Sequence, residues 1–121
     1  MTKAEALNLY NGIKEYKNGS MDRETLYPFI KLRLKLKELT DEFEIVRNEF
    51  TEQTKPEGLK EGDDTTKWNN DFQHLILKWL NEEFEAEPVF TFEEAVDYCV
   101  ANDSAGSLQD EIIRLLADET K

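Results

Sequence analysis

Cysteine and histidine are almost missing from this chain: there is one of each among 121 residues, with three prolines and five glycines. One cysteine excludes an internal disulfide framework and any zinc or iron–sulfur site built from several thiolates. One histidine excludes zinc sites that need two or three. No stretch approaches the ~18 consecutive apolar residues of a membrane-spanning helix. Gly-rich phosphate loops, a Gly-x-Ser-x-Gly elbow, an Asp-x-Asp-x-Asp-Gly calcium loop and a Glu-x-x-His pair are all lacking. No cofactor, metal site or catalytic residue is therefore expected. Basic side chains are also scarce, 15 against 27 acidic ones, for a net charge of −12.

What remains suffices for a modest core. Hydrophobic residues make up 39 % and aromatics 11 %, which argues against wholesale disorder. The length fits a single domain over residues 1–121. The N-terminal stretch Met1-Thr2-Lys3-Ala4-Glu5 leads into an amphipathic segment and not into the apolar run of a secretory signal, so a cytoplasmic protein is expected. Asn18-Gly19-Ser20 and Asn102-Asp103-Ser104 match the glycosylation triplet, but read as turns.

The charge is asymmetric. Residues 1–54 hold 9 basic and 10 acidic side chains; residues 55–121 hold 6 and 17. Such a field repels nucleic-acid phosphates and anionic membranes, so neither is an expected partner. Glu82, Glu83, Glu85, Glu87, Glu93, Glu94 and Asp97 form a candidate acidic interaction surface. Solubility alone accounts for many acidic surfaces.

Apolar spacing predicts five helices. Over 3–17, Ala6, Leu9, Tyr10, Ile13 and Tyr16 mark one face, Thr2 and Glu5 have capping-box spacing, and Gly19 offers a left-handed terminator. Gly12 weakens that helix by about 1 kcal/mol relative to Ala. Over 28–53, Phe29, Leu32, Leu36, Leu39, Phe43, Val46 and Phe50 recur at alternating steps of three and four, a heptad seam. Pro28 suits the first turn there. Residues 30–37 alternate strictly, Ile-Lys-Leu-Arg-Leu-Lys-Leu-Lys, which is also the period of a half-buried strand. Helix is preferred because the seam continues past the octet and Leu, Lys and Glu are helix formers. Ile30 and Leu34 then form a second apolar stripe, so this helix should touch more than one neighbour.

Residues 54–66 read as a charged loop, with Asp64, Thr65 or Thr66 as the next N-cap. Over 66–85, Trp68, Phe72, Leu75, Ile76, Trp79, Leu80 and Phe84 give a broad aromatic face suited to the seam. An extended link over 85–90 precedes the Thr91/Glu94 capping box, with Phe90 placed to staple onto Ala95. The fourth helix, 92–102, should bury Phe92, Ala95, Val96, Cys99 and Val100. The fifth, 108–119 behind Ser107, should bury Leu108, Ile112, Leu115 and Leu116.

The chemistry-bearing residues have plain structural readings. His74 reads as a histidine at the edge of an apolar face. Cys99 falls in a buried stripe, mid-helix beside Asp97, where nothing lowers a thiol pKa. Carboxylate pairs arise from abundance. Lys31, Arg33, Lys35 and Lys37 are the only basic cluster; on a helix they split to either side of the seam, as snorkelling flanks or as partners of the acidic half.

The order of elements carries a resemblance. A short helix Leu9…Ile13…Tyr16 leads to Tyr27-Pro28-Phe29-Ile30-Lys31 and on to Leu39-Thr40-Asp41-Glu42-Phe43-Glu44-Ile45-Val46-Arg47-Asn48-Glu49-Phe50. A charged loop, Trp68-Asn69-Asn70-Asp71-Phe72-Gln73-His74-Leu75 and Val89-Phe90-Thr91-Phe92-Glu93-Glu94 follow. Over about residues 7–116 this resembles a family of small phage-encoded proteins of unassigned function from phages and prophages of Gram-positive and related bacteria. The resemblance implies a helical fold and a phage or prophage setting, and offers no catalytic residues.

The expectation is an all-α protein: a long antiparallel hairpin of the second and third helices flanked by three shorter ones. It should be non-enzymatic and act through protein–protein contacts in the cytoplasm of a bacterial host. If the short helices leave the seam bare, a second copy would cover it as a homodimer. The alternative is an acidic DNA mimic that inhibits a host nucleic-acid enzyme.

Overall fold

The computed structural model describes residues 1–118. Among them are five helices: α1 (Lys3–Ile13), α2 (Arg23–Thr54), α3 (Thr66–Leu80), α4 (Phe92–Ala101) and α5 (Gly106–Leu116). Two short strands, β1 (Phe90–Thr91) and β2 (Ala117–Asp118), pair in parallel with Phe90 opposite Ala117. Apart from that pair and an isolated antiparallel bridge between Thr2 and Glu83, the fold of the described residues is all-α.

Helix α2 organises the rest. Its 32 residues span about 48 Å at 1.5 Å per residue. The alternating octet 30–37 lies wholly within it. The helix begins five residues earlier than the sequence predicts, behind Asp22, whose carbonyl accepts from the nitrogens of Thr25 and Leu26. Pro28 therefore sits inside the helix and not in its first turn, and cannot donate to the Glu24 carbonyl. The turn before it is pinned elsewhere: Thr25 Oγ1 donates to Glu94 on α4.

Burial grades along the seam. Phe29 and Leu36 are fully buried, and Leu32 and Leu39 nearly so. Phe43, Val46 and Phe50 are only half-buried. The first half of α2 meets several elements: Phe29 packs on Phe90 and Tyr98, Arg33 donates to Asn18 Oδ1 at 2.9 Å, and Lys35 donates to the Glu85 carbonyl. The second half meets α3. Phe43 and Trp79 have ring centroids 5.5 Å apart, and Trp68 Nε1 donates to the Thr51 carbonyl at 3.0 Å. Later residues of α3 thus lie against earlier residues of α2. Ile76 and Trp79 are buried, while Trp68, Phe72 and Leu75 stay half-buried.

Several predicted boundaries move, each for a tertiary reason. Helix α1 stops at Ile13, and the left-handed Gly19 (φ 69°) falls in the following loop. Helix α3 ends at Leu80, before the predicted 85. Residues 82–84 leave it to pair with the N-terminal main chain: Lys3 N donates to the Glu82 carbonyl at 2.9 Å and Phe84 N to the Met1 carbonyl at 2.7 Å. Phe84 is still buried, from an extended segment. Helix α5 begins at Gly106 with no side-chain cap, so Ser107 lies within its first turn. It ends at Leu116 because Ala117 and Asp118 pair with β1; predicted position 119 lies outside the described residues.

Helix α4 presents a different face from the one predicted. Ala95, Tyr98 and Cys99 are buried, whereas Phe92 is 51 % and Val100 70 % exposed. The Tyr98 ring, packed on Phe29, Phe90 and Tyr16, sets that rotation. Both capping boxes, Thr2/Glu5 and Thr91/Glu94, are formed.

Gly12 proves to be a packing glycine. A Cβ at position 12 would lie 2.6 Å from Leu108 Cδ1, so α1 and the start of α5 approach through the missing side chain. Gly12→Ala should therefore gain less than the full helix-propensity benefit of about 1 kcal/mol, because the half-buried Leu108 side chain must swing aside. In a Leu108→Ala background the same change should gain that benefit in full, about 1 kcal/mol. Urea unfolding of the four proteins checks the difference.

Candidate functional site

The acidic residues do not form one free surface. Glu82 pairs with Lys3 at 3.6 Å, and Glu83 accepts from the Met1 α-amino group at 3.0 Å. Glu94 accepts from Thr91 N at 2.9 Å and from the Thr25 hydroxyl, tying β1, α4 and α2 together. The Thr25 hydroxyl first, and the Thr91 amide second, hold its carboxyl below the usual glutamate range. Glu94 is thereby part of the fold; Glu82 and Glu83 are exposed but each offset by a cation, and Glu85, Glu87, Glu93 and Asp97 are exposed as well. Residue order does not reveal this division, because every partner but Thr91 is distant in the chain.

A cleft of about 330 Å³ opens between the loop after α1 and helix α4, lined by Asn18, Asp22, Glu94, Asp97, Tyr98 and Ala101. Tyr98 is the one aromatic residue in its lining, and Asp22, Glu94 and Asp97 make the lining acidic. The Tyr98 hydroxyl is buried without a hydrogen-bond partner. Burial pushes its pKa up, opposed by the Arg33 charge. Such a phenol is a poor proton acceptor or nucleophile at neutral pH. Cys99 is buried behind it, and burial likewise raises its thiol pKa. His74 is exposed on α3, well apart in sequence and element from both. A second, shallower groove of about 260 Å³ runs beside Trp68 and Phe72. Among the described residues no group of three or more His, Cys, Asp or Glu is arranged to hold a metal ion, and no helix is long and apolar enough to cross a membrane.

No protein-family model, curated protein or solved structure matches the chain. The functional reading rests on this molecule's own surfaces.

One surface stands out. The face of α2 opposite the seam carries Tyr27, Ile30, Leu34 and Ile45. Tyr27 is 56 %, Leu34 57 % and Ile45 61 % exposed, with Ile30 half-buried. At 100° per residue these four fall within a strip about 60° wide, on the far side from Phe29, Leu36 and Val46. The sequence showed Ile30 and Leu34 as a second stripe; the structure adds Tyr27 and Ile45 and leaves the strip uncovered. The seam residues proper are turned inward, against the other elements of this chain.

Two outcomes follow for the cleft side. Tyr98→Phe should raise the unfolding free energy by about 1 kcal/mol, since it removes an unpaired buried hydroxyl and keeps the ring contacts; thermal unfolding reads it. For Glu94, a carboxyl pKa lowered in the folded state stabilises fully above the free-glutamate value, and that stabilisation is lost as pH falls through the folded value. The stability gap between wild type and Glu94→Gln should be complete at neutral pH and narrow progressively below about pH 4.3. Unfolding curves across that range check it.

Proposed function

We propose that this chain is a non-enzymatic interaction protein that works by protein–protein contact through the outer face of α2. Its setting, on the resemblance drawn from the order of its elements, is the cytoplasm of a bacterium that hosts the phage or prophage encoding it. The observation that carries the reading is the strip Tyr27–Leu34–Ile45, three large apolar side chains each more than half exposed on one helix face. A single exposed apolar residue is ordinary, but several aligned on one face mark an interaction surface.

Contact through helical faces is preferred over a DNA mimic. Mimicry needs a continuous array of free carboxylates; Glu94 is engaged by the Thr25 hydroxyl and the Thr91 amide, and Glu82 and Glu83 are each offset by a cation, Lys3 and the Met1 amino group. The raised pKa values of Tyr98 in the cleft and of the buried Cys99 also favour a binding role over nucleophilic catalysis.

A photo-reactive phenylalanine analogue placed at Leu34 tests the reading in bacterial cells that produce the protein. Discrete covalent protein adducts are expected from position 34 and not from the exposed position Asn11 on α1. Absence of adducts at 34, or the same adducts from both positions, would overturn it.

A further inference from the structure

We propose that the partner of this face is a second copy of the chain, bound antiparallel along α2; the inference rests on the interaction reading above. It comes from the charge pattern of α2. Residues 23–37 carry five basic side chains and one acidic one, while residues 38–54 carry one basic and six acidic ones. The helix is thus a positive block followed by a negative block. The helix dipole does not account for that order, because it favours acids in the first turn and bases in the last. No basic side chain lies in the last turn of α2.

Exposure limits which charges matter. Arg33 and Arg47 lie toward the seam side. Arg23, Lys31, Lys37, Glu38, Asp41, Glu44 and Glu52 lie on the outer face with the apolar strip, and all seven are exposed. A parallel copy would set basic block on basic block and acidic on acidic. An antiparallel copy, with its two-fold axis beside Lys37 and Glu38, sets each block on its opposite. That register places Arg23 across from Glu52, Lys31 from Glu44, and Lys37 from Glu38. It also places Ile30 against Ile45 of the other copy, while Leu34 lies across from Asp41 and Tyr27 from Asn48. The charge pattern therefore sets the register, with the Ile30–Ile45 contact made twice about the axis.

The surrounding ion pairs permit this exchange. Lys37 already meets Asp41 at 3.2 Å and Arg47 meets Glu44 at 2.8 Å, both highly exposed and within one turn. Exposed pairs of this kind are weak, so their carboxylates are available across an interface. A contact between two single helices, half apolar and half ionic, is modest in area. It should be concentration-dependent and weakened by salt, because its charges stay within reach of counter-ions.

Light scattering coupled to size exclusion, on the purified full chain at low and high salt, tests the pairing. Wild type should approach about 28 kDa at low salt, twice the 14.2 kDa chain mass, and move toward 14.2 kDa at high salt. Lys31→Glu should weaken the dimer about tenfold or more, because the two-fold axis uses each reversed contact twice. Lys31→Glu with Glu44→Lys should restore it, and circular dichroism should show both variants folded. A mass of 14.2 kDa for wild type at low salt and several hundred micromolar would overturn the proposal. So would a dimer indifferent to Lys31→Glu, or one not restored by the double change. If the chain is monomeric while position 34 still captures another protein in cells, self-pairing fails and the interaction reading stands. If both fail, so does that reading.

Discussion

The packing of Phe29 is the joint on which the structure turns. Its ring stacks on Phe90 with centroids 5.2 Å apart and meets Tyr98 edge-on, also at 5.2 Å. Tyr98 in turn packs on Tyr16 at 5.8 Å. Four rings thereby connect α2, β1, α4 and the turn after α1. Each such pair adds about 0.5–1.5 kcal/mol beyond simple burial. The cluster also fixes rotations: once Tyr98 faces Phe29, α4 must turn Phe92 and Val100 outward. The Thr25–Glu94 and Arg33–Asn18 hydrogen bonds border the same joint and hold the first turns of α2 in place around Pro28.

A joint near one end of a 32-residue helix leaves the other end thinly covered. The N-terminal main chain clamps residues 82–84, which draws the chain out of α3 and returns it toward the buried end of α2. Only the 15 residues of α3 then accompany the second half of α2. Phe43, Val46 and Phe50 remain half-buried for that reason. On the far side of α2, Tyr27, Leu34 and Ile45 are each more than half exposed. The outer face of α2 thus mixes exposed apolar side chains with charged ones, while its inner face is apolar.

The acidic residues divide into two groups. Some carboxylates are structural: Glu5 and Glu94 complete capping boxes, and Asp64 accepts from Thr66 N and Oγ1 at the entrance to α3. Others remain in solvent. Along α2 the sorting of charges into blocks is sharper than capping or solubility requires, and it gives the exposed face a direction.

Much of the secondary structure was local and therefore legible from residue order. The seam from Phe29 to Leu39, the two capping boxes, the breaking loop over 55–65 and the helical state of residues 30–37 follow from spacing and propensity, which act over one or two turns. Helix ends were less legible, since Leu80, Leu116 and the start at Arg23 are set by main-chain pairing and by contacts with residues far along the chain. The same holds for the rotation of α4, the packing role of Gly12 and the engagement of Glu82, Glu83 and Glu94. The sequence by itself determined a helical, acidic chain with an apolar seam and a second stripe at Ile30 and Leu34. Only the tertiary structure decided that the seam is internal and the stripe exposed, because burial depends on which elements the aromatic joint draws to each side of α2.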